Sequence, residues 1–409
     1  MHEDLLALAT DDEERAFAET AVRFLAARVP RRADESASWG TGPENLALFH
    51  ETSDAEERRE ADAARAWQRE RWAEGFGWIT GPVEHGGAGL PAAYDRLYRS
   101  IEAGFDVPDM SPVRIGLGTV GPAITAFGTQ TQVATYAAGI QRGDLIACQL
   151  FSEPDAGSDL AGVRTRGERE GDGWRITGQK VWTSNATFAD LGLALVRTDP
   201  AAAKHTGLTM FVVPMDAPGV EVRRLRQLTG GASFTEVFLS EVVLSDAHRL
   251  GEEGAGWRVT TGALASERTS VGDRSHEMNA RALALLRTWA ERNGRGDDPL
   301  FREAWTVLYS RLRIARFQQR RMQALPGSAL RGTERVMDKV LFSMNLRMIG
   351  ELAADLLGPA FVADTGEWGT FGWNRWMLGA MGYRIAGGTD EILRTLLAER
   401  FLGLPKEPR

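Results

Sequence analysis

Sulfur chemistry is nearly absent from this 409-residue chain, which has Cys148 as its only cysteine. A single cysteine excludes an intrachain disulfide and suits a reducing compartment. Cys148 itself reads as a small buried hydrophobe rather than a nucleophile. Histidines number only 6, and His85 and His205 stand in loop-like segments without the spacing of metal ligands. No apolar run approaches the roughly 18 residues that a membrane span requires. Excess positive charge is missing as well. Lys and Arg number 48 against 56 Asp and Glu, a net charge of −8, which argues against a nucleic-acid or membrane-surface role. The opening segment, MHEDLLALATDDEERAF, is acidic and has no basic region with an apolar stretch behind it. No signal peptide is read there, and a cytoplasmic location is expected.

What remains is ordinary globular composition, 43% hydrophobic and 25% charged, with length enough for two or three domains. Residues 1–147 read as helical. Asp11 and Asp12 can cap a segment in which Phe17, Ala21, Phe24 and Leu25 recur on one face. Residues 36–60 are charged and read as a surface loop or short helix. Helical spacing returns near Trp67, breaks at GPVEHGGAGLPAAY (residues 81–94), and resumes over 94–103 and 130–138. Residues 148–253 change character. Short β-rich runs at 174–176, 193–196, 210–213 and 237–239 are punctuated by Gly, Asp and Pro, as in an antiparallel β-domain. Residues 254–409 return to long amphipathic stretches, 257–292, 300–325 and 334–357, with short breaks that suit a helical bundle. A last helix follows Gly387-Gly388-Thr389.

Two segments stand out for their chemistry. QLFSEPDAGSDLAG (149–162) and GWRITGQKVWTSNA (173–186) are dense in glycine and hydroxyl residues beside single aromatics. Such a composition suits a flat, polar cofactor, because glycines allow close backbone approach and hydroxyls donate hydrogen bonds. Read without any other knowledge, FSEPDAGSD is a turn-rich hairpin and Trp182 a core residue.

Three further segments lie in register with these: VEHGGAGLP (83–91), SERTSVG (266–272) and GGTDEILRTLLAERFLGLP (387–405). In this order, and over nearly the whole chain, the five closely resemble the signatures of the acyl-CoA dehydrogenase family. The wording is nearest to bacterial members acting on specialised or bulky acyl groups. The resemblance implies an α+β fold with an N-terminal helical domain, a middle antiparallel β-domain and a C-terminal four-helix bundle. It also implies non-covalent FAD between the last two. By motif position, Phe151, Ser152, Gly157 and Ser158 would lie along the flavin and the phosphate side of FAD. Trp182 and Ser184 would sit against the isoalloxazine ring, Ser184 near N5. Gly388, Thr389 and Glu391 would contact FAD at a helix start, where Thr389 can also serve as N-cap and the acidic residues complement the helix dipole. Arg292 matches an arginine that reaches FAD across a subunit interface. Arg295, Asp355 and Pro359 depart from the phenylalanine, glutamine and glycine common at their positions.

The base is the informative departure. Most members carry a glutamate immediately before the Gly-Thr of the last signature, where this chain has Gly387. A minority supply it from a bundle helix, followed by arginine, and Glu267-Arg268 matches that arrangement. On a helix, Glu267 shares its face with Ala263, Leu264, Ser270 and Val271, which are small or apolar, so its carboxylate is poorly solvated and its pKa is expected to rise. The bland alternative is a semi-exposed glutamate paired with a nearby arginine. The resemblance thus implies an FAD-dependent dehydrogenase that places an α,β double bond in an acyl thioester on CoA or a carrier protein. Glu267 would take the α-proton and flavin N5 the hydride, and an electron-transfer flavoprotein would accept the electrons. A homodimer or homotetramer is implied, with a hetero-oligomer as the alternative. Two other readings stay open, a flavin monooxygenase on the same fold and a non-catalytic subunit that completes a partner's FAD site.

Overall fold

The computed structural model describes residues 3–32, 48, 53–324, 330–363 and 371–406, without the side chains of 265–277, 323–324, 330–333 and 371. These residues pack as two compact units. One holds most of the chain up to 263, and the other holds 48, 226–231 and everything from 264 onward.

The first unit starts with the helix Asp12–Ala26, where the Asp11 carboxylate accepts the Glu14 N–H at 2.8 Å and Ala18, Ala21, Phe24 and Leu25 face inward. The next helix, Asp54–Ala73, begins well inside the stretch read as surface loop or short helix. Ser53 and Glu56 form a reciprocal capping box that starts it there, and Ala61, Ala64 and Trp67 supply its buried face. The earlier part of that stretch, 36–47 and 49–52, lies outside the described residues. Helices follow at Ala92–Glu102 and from Gln130 to Arg142, the latter through a π-turn at Val133–Ala137. A helical path from Ser111 to Phe127 was not visible in the sequence, because Pro112, Gly116, Gly118, Gly121 and Pro122 all have poor helix propensity. The glycines are there for contact. A Cβ on Gly116 would meet Ile140 Cγ2 at 3.1 Å, so the small residue lets this helix lie close to its neighbour.

The strands are β1 (Ala147–Leu150), β2 (Arg166–Glu170), β3 (Gly173–Ser184), β4 (Leu191–Arg197), β5 (Leu208–Pro214), β6 (Val220–Leu225), β7 (Phe234–Ser245) and β8 (Arg249–Leu250). They form a sheet in the order β6-β7-β3-β2-β4-β5-β8, with β1 also beside β4. The expected purely antiparallel sheet is corrected here: β1 runs parallel to β4 from Ala147↔Leu191 to Leu150↔Ala194, and β2 meets β4 in parallel at Arg166↔Arg197. Only strands joined by tight turns are obliged to pair antiparallel, and the β2–β3 hairpin separates β1 from β4 in the chain. In β4 and β5 all residues but the last are buried, the mark of strands covered on both faces. Trp174 and Phe211 meet edge to face at 5.2 Å in the sheet core.

Gln132 ties helix to sheet. Its Oε1 accepts the Thr129 N–H at 2.9 Å, and its amide donates to the carbonyls of Ala247 (2.8 Å) and Arg249 (2.9 Å). Replacing it with alanine removes the capping box and leaves those carbonyls without that donor. Gln132→Ala is expected to lower stability by about 2–4 kcal/mol in urea unfolding, whereas a loss below about 0.5 kcal/mol would show that water replaces the amide.

In the second unit the helix Gly256–Arg292, described here from Leu264, packs with Pro299–Ala324, Leu330–Leu357 and Phe371–Ile385. One core joins all four through Leu283, Leu286, Phe301, Leu312, Leu346 and Trp376. The last of the four escaped sequence reading because Gly372, Gly379 and Gly382 blur its pattern. Burial of Trp373 and Trp376, with the Trp376 indole donating to the Leu346 carbonyl at 2.9 Å, holds it. Phe342 is buried, and Met344 and Met348 pack against cores, as expected of bundle residues. Among the described residues, no helix is long and apolar enough to cross a membrane.

Candidate functional site

The two conspicuous motifs meet in the first unit. Leaving β1, the chain passes Phe151 and Ser152, and the Ser152 carbonyl accepts the Val181 N–H of β3 at 2.9 Å. At the same place Lys180, with a side chain 0% exposed, turns inward. Its ammonium donates to the Phe151 carbonyl (3.1 Å), the Glu153 Oε1 (2.8 Å) and the Leu195 carbonyl of β4 (2.6 Å). Glu153 also accepts the N–H groups of Arg164 (2.6 Å) and Thr165 (2.9 Å). Burial pushes the Lys180 ammonium down to about 8. Burial opposes the Glu153 charge too, but Lys180 and the N–H donors hold that carboxyl below its ordinary range. At neutral pH the pair is therefore ionised. Sequence reading passed over both residues. The available signal was a lysine inside a strand of alternating burial, a placement tolerated only with a partner.

One residue on, the register between β3 and β7 shifts from Lys180 to Thr183. Trp182 occupies the shift with φ of 63°, a left-handed conformation rare for a bulky side chain. Trp182 is 61% exposed, so it is not the core residue that the motif read alone suggests. Phe234 props it edge on, the ring centroids 6.0 Å apart. Ser184 closes β3 half-buried, and the Thr183 hydroxyl is buried without a hydrogen-bond partner. Asn185, also left-handed at φ 66°, anchors the exit by donating to the carbonyls of Ser111 (3.3 Å) and Pro112 (3.0 Å). Beyond the Glu153–Ala156 turn, Gly157 and Ser158 are exposed, and a Cβ on Gly157 would meet open space. The structure thus brings Phe151, Ser152, Trp182 and Ser184 to one end of β3. There an exposed indole face, hydroxyls and an unpaired buried hydroxyl would accept a flat, hydrogen-bonding ring system, so the residues present fit a flavin.

The other candidates belong to the second unit. Gly387 and Gly388 have φ of 67° and 93°, and Thr389 caps the helix Asp390–Leu396 by accepting the Ile392 N–H at 3.2 Å. Asp390, fully buried, accepts from Ser343 Oγ (2.7 Å), Arg384 Nε (2.9 Å) and Lys339 Nζ (3.2 Å). Lys339 also donates to the Gly388 carbonyl at 2.8 Å. Burial works against the Asp390 charge, but Ser343, Arg384 and Lys339 hold its carboxyl below the usual range. Glu391 is exposed and pairs with Arg384 at 3.5 Å. Arg292 is exposed at the end of its helix. Glu267 lies in the helix Gly256–Arg292, but its side chain is outside the described residues, as are those of Ser270 and Val271. Of the departing residues, Arg295 links Asp298 (2.8 Å) to the Leu356 carbonyl (3.4 Å) and so fixes a helix connection, while Asp355 and Pro359 are exposed.

Cys148 is wholly buried against Met215, and burial pushes its thiol up to about 12, as suits an inert core residue. His85 bonds Gln130 at 2.8 Å and His205 packs on the Trp257 ring. Among the described residues, no group of His, Cys, Asp and Glu could hold a metal.

Two family models cover most of this architecture: acyl-CoA dehydrogenase, middle domain, over residues 148–246, and acyl-CoA dehydrogenase, C-terminal domain, over residues 254–402. Acyl-CoA dehydrogenase IpdE1 of Mycobacterium tuberculosis is 38% identical over 346 residues, spanning 84% of this chain and 89% of its own. The chain belongs to the acyl-CoA dehydrogenase family. It is an oxidoreductase of that class. The M. smegmatis IpdE1 is 36% identical over 362 residues, 84% of this chain and 88% of its own. A solved structure named Tcur3481-Tcur3483 steroid ACAD superposes with TM-score 0.74 at 25% identity, over 98% of this chain and 100% of its own. PigA with FAD and proline gives TM-score 0.72 at 20% identity, over 97% and 99%, and shares the fold.

The second unit yields two stability tests. At Gly387 a Cβ meets nothing within 4 Å, so Gly387→Ala should cost only its backbone strain, about 1 kcal/mol, while Gly388→Ala also drives a Cβ to 3.2 Å from Leu393 and should cost more. The reverse ranking in urea unfolding would contradict these backbone angles. For Asp390 the folded pKa lies below its ordinary 3.8, so its contribution is complete above that value and is lost as pH falls through the folded one. Asp390→Asn should lower stability at about pH 7 by roughly 2–4 kcal/mol and flatten the loss of stability below about pH 4. An unchanged acid slope would remove Asp390 from the groups that set it.

Proposed function

We propose that this chain desaturates an acyl thioester, on CoA or a carrier protein, with FAD as its cofactor. The observation that carries the reading is Trp182, a bulky indole held exposed by a left-handed backbone beside Ser152 and Ser184. An apolar ring kept in water at the cost of a strained conformation is explained by something that covers it. On this reading Phe151, Ser152 and Ser184 line the flavin, Trp182 shields it from water, and Gly157 and Ser158 meet the phosphate side. By motif position, Arg292 reaches FAD across a subunit interface, and Gly388, Thr389 and Glu391 offer it further contacts at their helix start. FAD, when bound, supplies the two-electron acceptor for the hydride leaving the β-carbon.

Glu267 takes the α-proton. The thioester α-C–H is weakly acidic, so its base must be a carboxylate kept poorly solvated. The buried Ala263 one turn before Glu267 suits that requirement. Gly387 leaves open space where most of the family places its glutamate. With the α-proton on Glu267 and bound FAD as the two-electron acceptor, the acyl group would be left with its α,β double bond, and an electron-transfer flavoprotein would take up the electrons. A bulky acyl group is supported by the name of the steroid ACAD neighbour. The chain works as an oligomer. Neighbours named Tcur3481-Tcur3483 and the ChsE4-ChsE5 complex of M. tuberculosis support an assembly of two different chains as an alternative to a homodimer or homotetramer.

Anaerobic addition of a bulky acyl-CoA to the purified protein tests this. Bleaching of the oxidised-flavin absorbance is expected, and Glu267→Gln should slow it by about 10²–10⁴-fold without loss of flavin. Full-rate bleaching in Glu267→Gln assigns the base elsewhere. Flavin reduced only by an external donor, and then turning over with oxygen, replaces desaturation by monooxygenation. A chain that holds no flavin until a partner is added is an accessory subunit.

A further inference from the structure

We propose that Lys180 is a positioning residue for the flavin, holding the Phe151 carbonyl so that the Phe151–Ser152 peptide is fixed beside Trp182. The inference rests on the flavin reading above and concerns a residue that touches no cofactor in it. Three acceptors on three different segments converge on one ammonium: the Phe151 carbonyl in the loop after β1, Glu153 in the turn beyond it, and the Leu195 carbonyl on β4. Lysine has three N–H donors, and each finds an acceptor. The next residue, Val181, donates to the Ser152 carbonyl, and the one after that is the left-handed Trp182. A side chain at 180 therefore sets where both edges of the platform lie.

Stability alone does not explain the choice of residue. A buried ion pair is often no more stabilising than a well-packed apolar pair of the same volume. What an apolar pair cannot do is grip a carbonyl. Glu153 keeps the N–H groups of Arg164 and Thr165 whatever stands at 180, and Leu195 is held within its sheet. Phe151 lies beyond the last residue of β1, and Lys180 is the donor that fixes its carbonyl.

The test compares three variants with the parent protein. Thermal unfolding and FAD affinity are read by titrating the flavin-stripped chain, and the visible circular dichroism of the bound flavin reports its seating. Lys180→Met should lose both stability and FAD affinity, the latter by at least about tenfold, the size expected from one buried hydrogen bond to a charged donor. Lys180→Met/Glu153→Leu should melt above Lys180→Met, because no unpaired carboxylate remains, but below the parent, because the Arg164 and Thr165 N–H groups lose their acceptor. It should keep the weak FAD binding and the altered dichroism. Glu153→Gln retains an acceptor for Lys180, so it should melt lower while binding FAD within about twofold of the parent. Parent-like affinity and dichroism in either Lys180 variant overturns the positioning role. So does a Glu153→Gln variant that loses FAD in proportion to its stability, and that arm stands even if neither Lys180 variant folds. A parent chain that binds no FAD overturns the flavin reading itself, and this inference with it.

Discussion

The first unit is organised around a charge that has no access to water. Moving an ammonium into a protein interior costs several kcal/mol unless its donors are satisfied. The Lys180 side chain, 0% exposed, meets that condition by drawing the loop after β1, the Glu153 turn and β4 to a single point. Glu153 extends the arrangement to the chain entering β2 through the Arg164 and Thr165 N–H groups. Segments far apart in sequence are thereby held to within a hydrogen-bond length of one another. Low-dielectric surroundings make each of those bonds sensitive to geometry.

From that point the exposed surface is built outward by backbone conformation. The register shift after Lys180 permits a left-handed Trp182, and Asn185, also left-handed, locks the strand exit onto the carbonyls of Ser111 and Pro112. A platform whose backbone is tied by such hydrogen bonds has less to order when a ligand binds. The second unit uses the same device with the charge reversed. Asp390, buried at a helix start, gathers Lys339, Ser343 and Arg384, and Lys339 also holds the Gly388 carbonyl. In each unit a buried charge cluster holds a backbone carbonyl of a glycine- or hydroxyl-rich segment, Phe151 in the first and Gly388 in the second.

Much of this was legible in the residues. Helix starts carried by local chemistry were readable, such as Asp11 before Glu14 and Thr389 before Ile392, because capping involves neighbours in the chain. The long bundle helices were readable from their amphipathic period. The Ser111–Phe127 helical path and the Phe371–Ile385 helix were not, since their glycines serve close packing that propensity counts as a penalty. The parallel pairing of β1 with β4 was also hidden, because register between distant strands leaves no mark in either one.

For the site, the amino-acid sequence by itself determined which segments matter and the chemical character of their side chains, which are properties of residue type and local spacing. That 387 lacks a carboxylate is informative only through the family resemblance. Tertiary structure alone decided that Trp182 faces outward rather than into the core, that Lys180 and Glu153 form the hidden joint between the motifs, and that Asp390 is an anchor rather than merely a favourable charge at a helix start. The reason is physical: exposure and ionisation depend on what the rest of the chain places around a group, and the partners here lie between 6 and 51 residues away from the Lys180 and Asp390 pins.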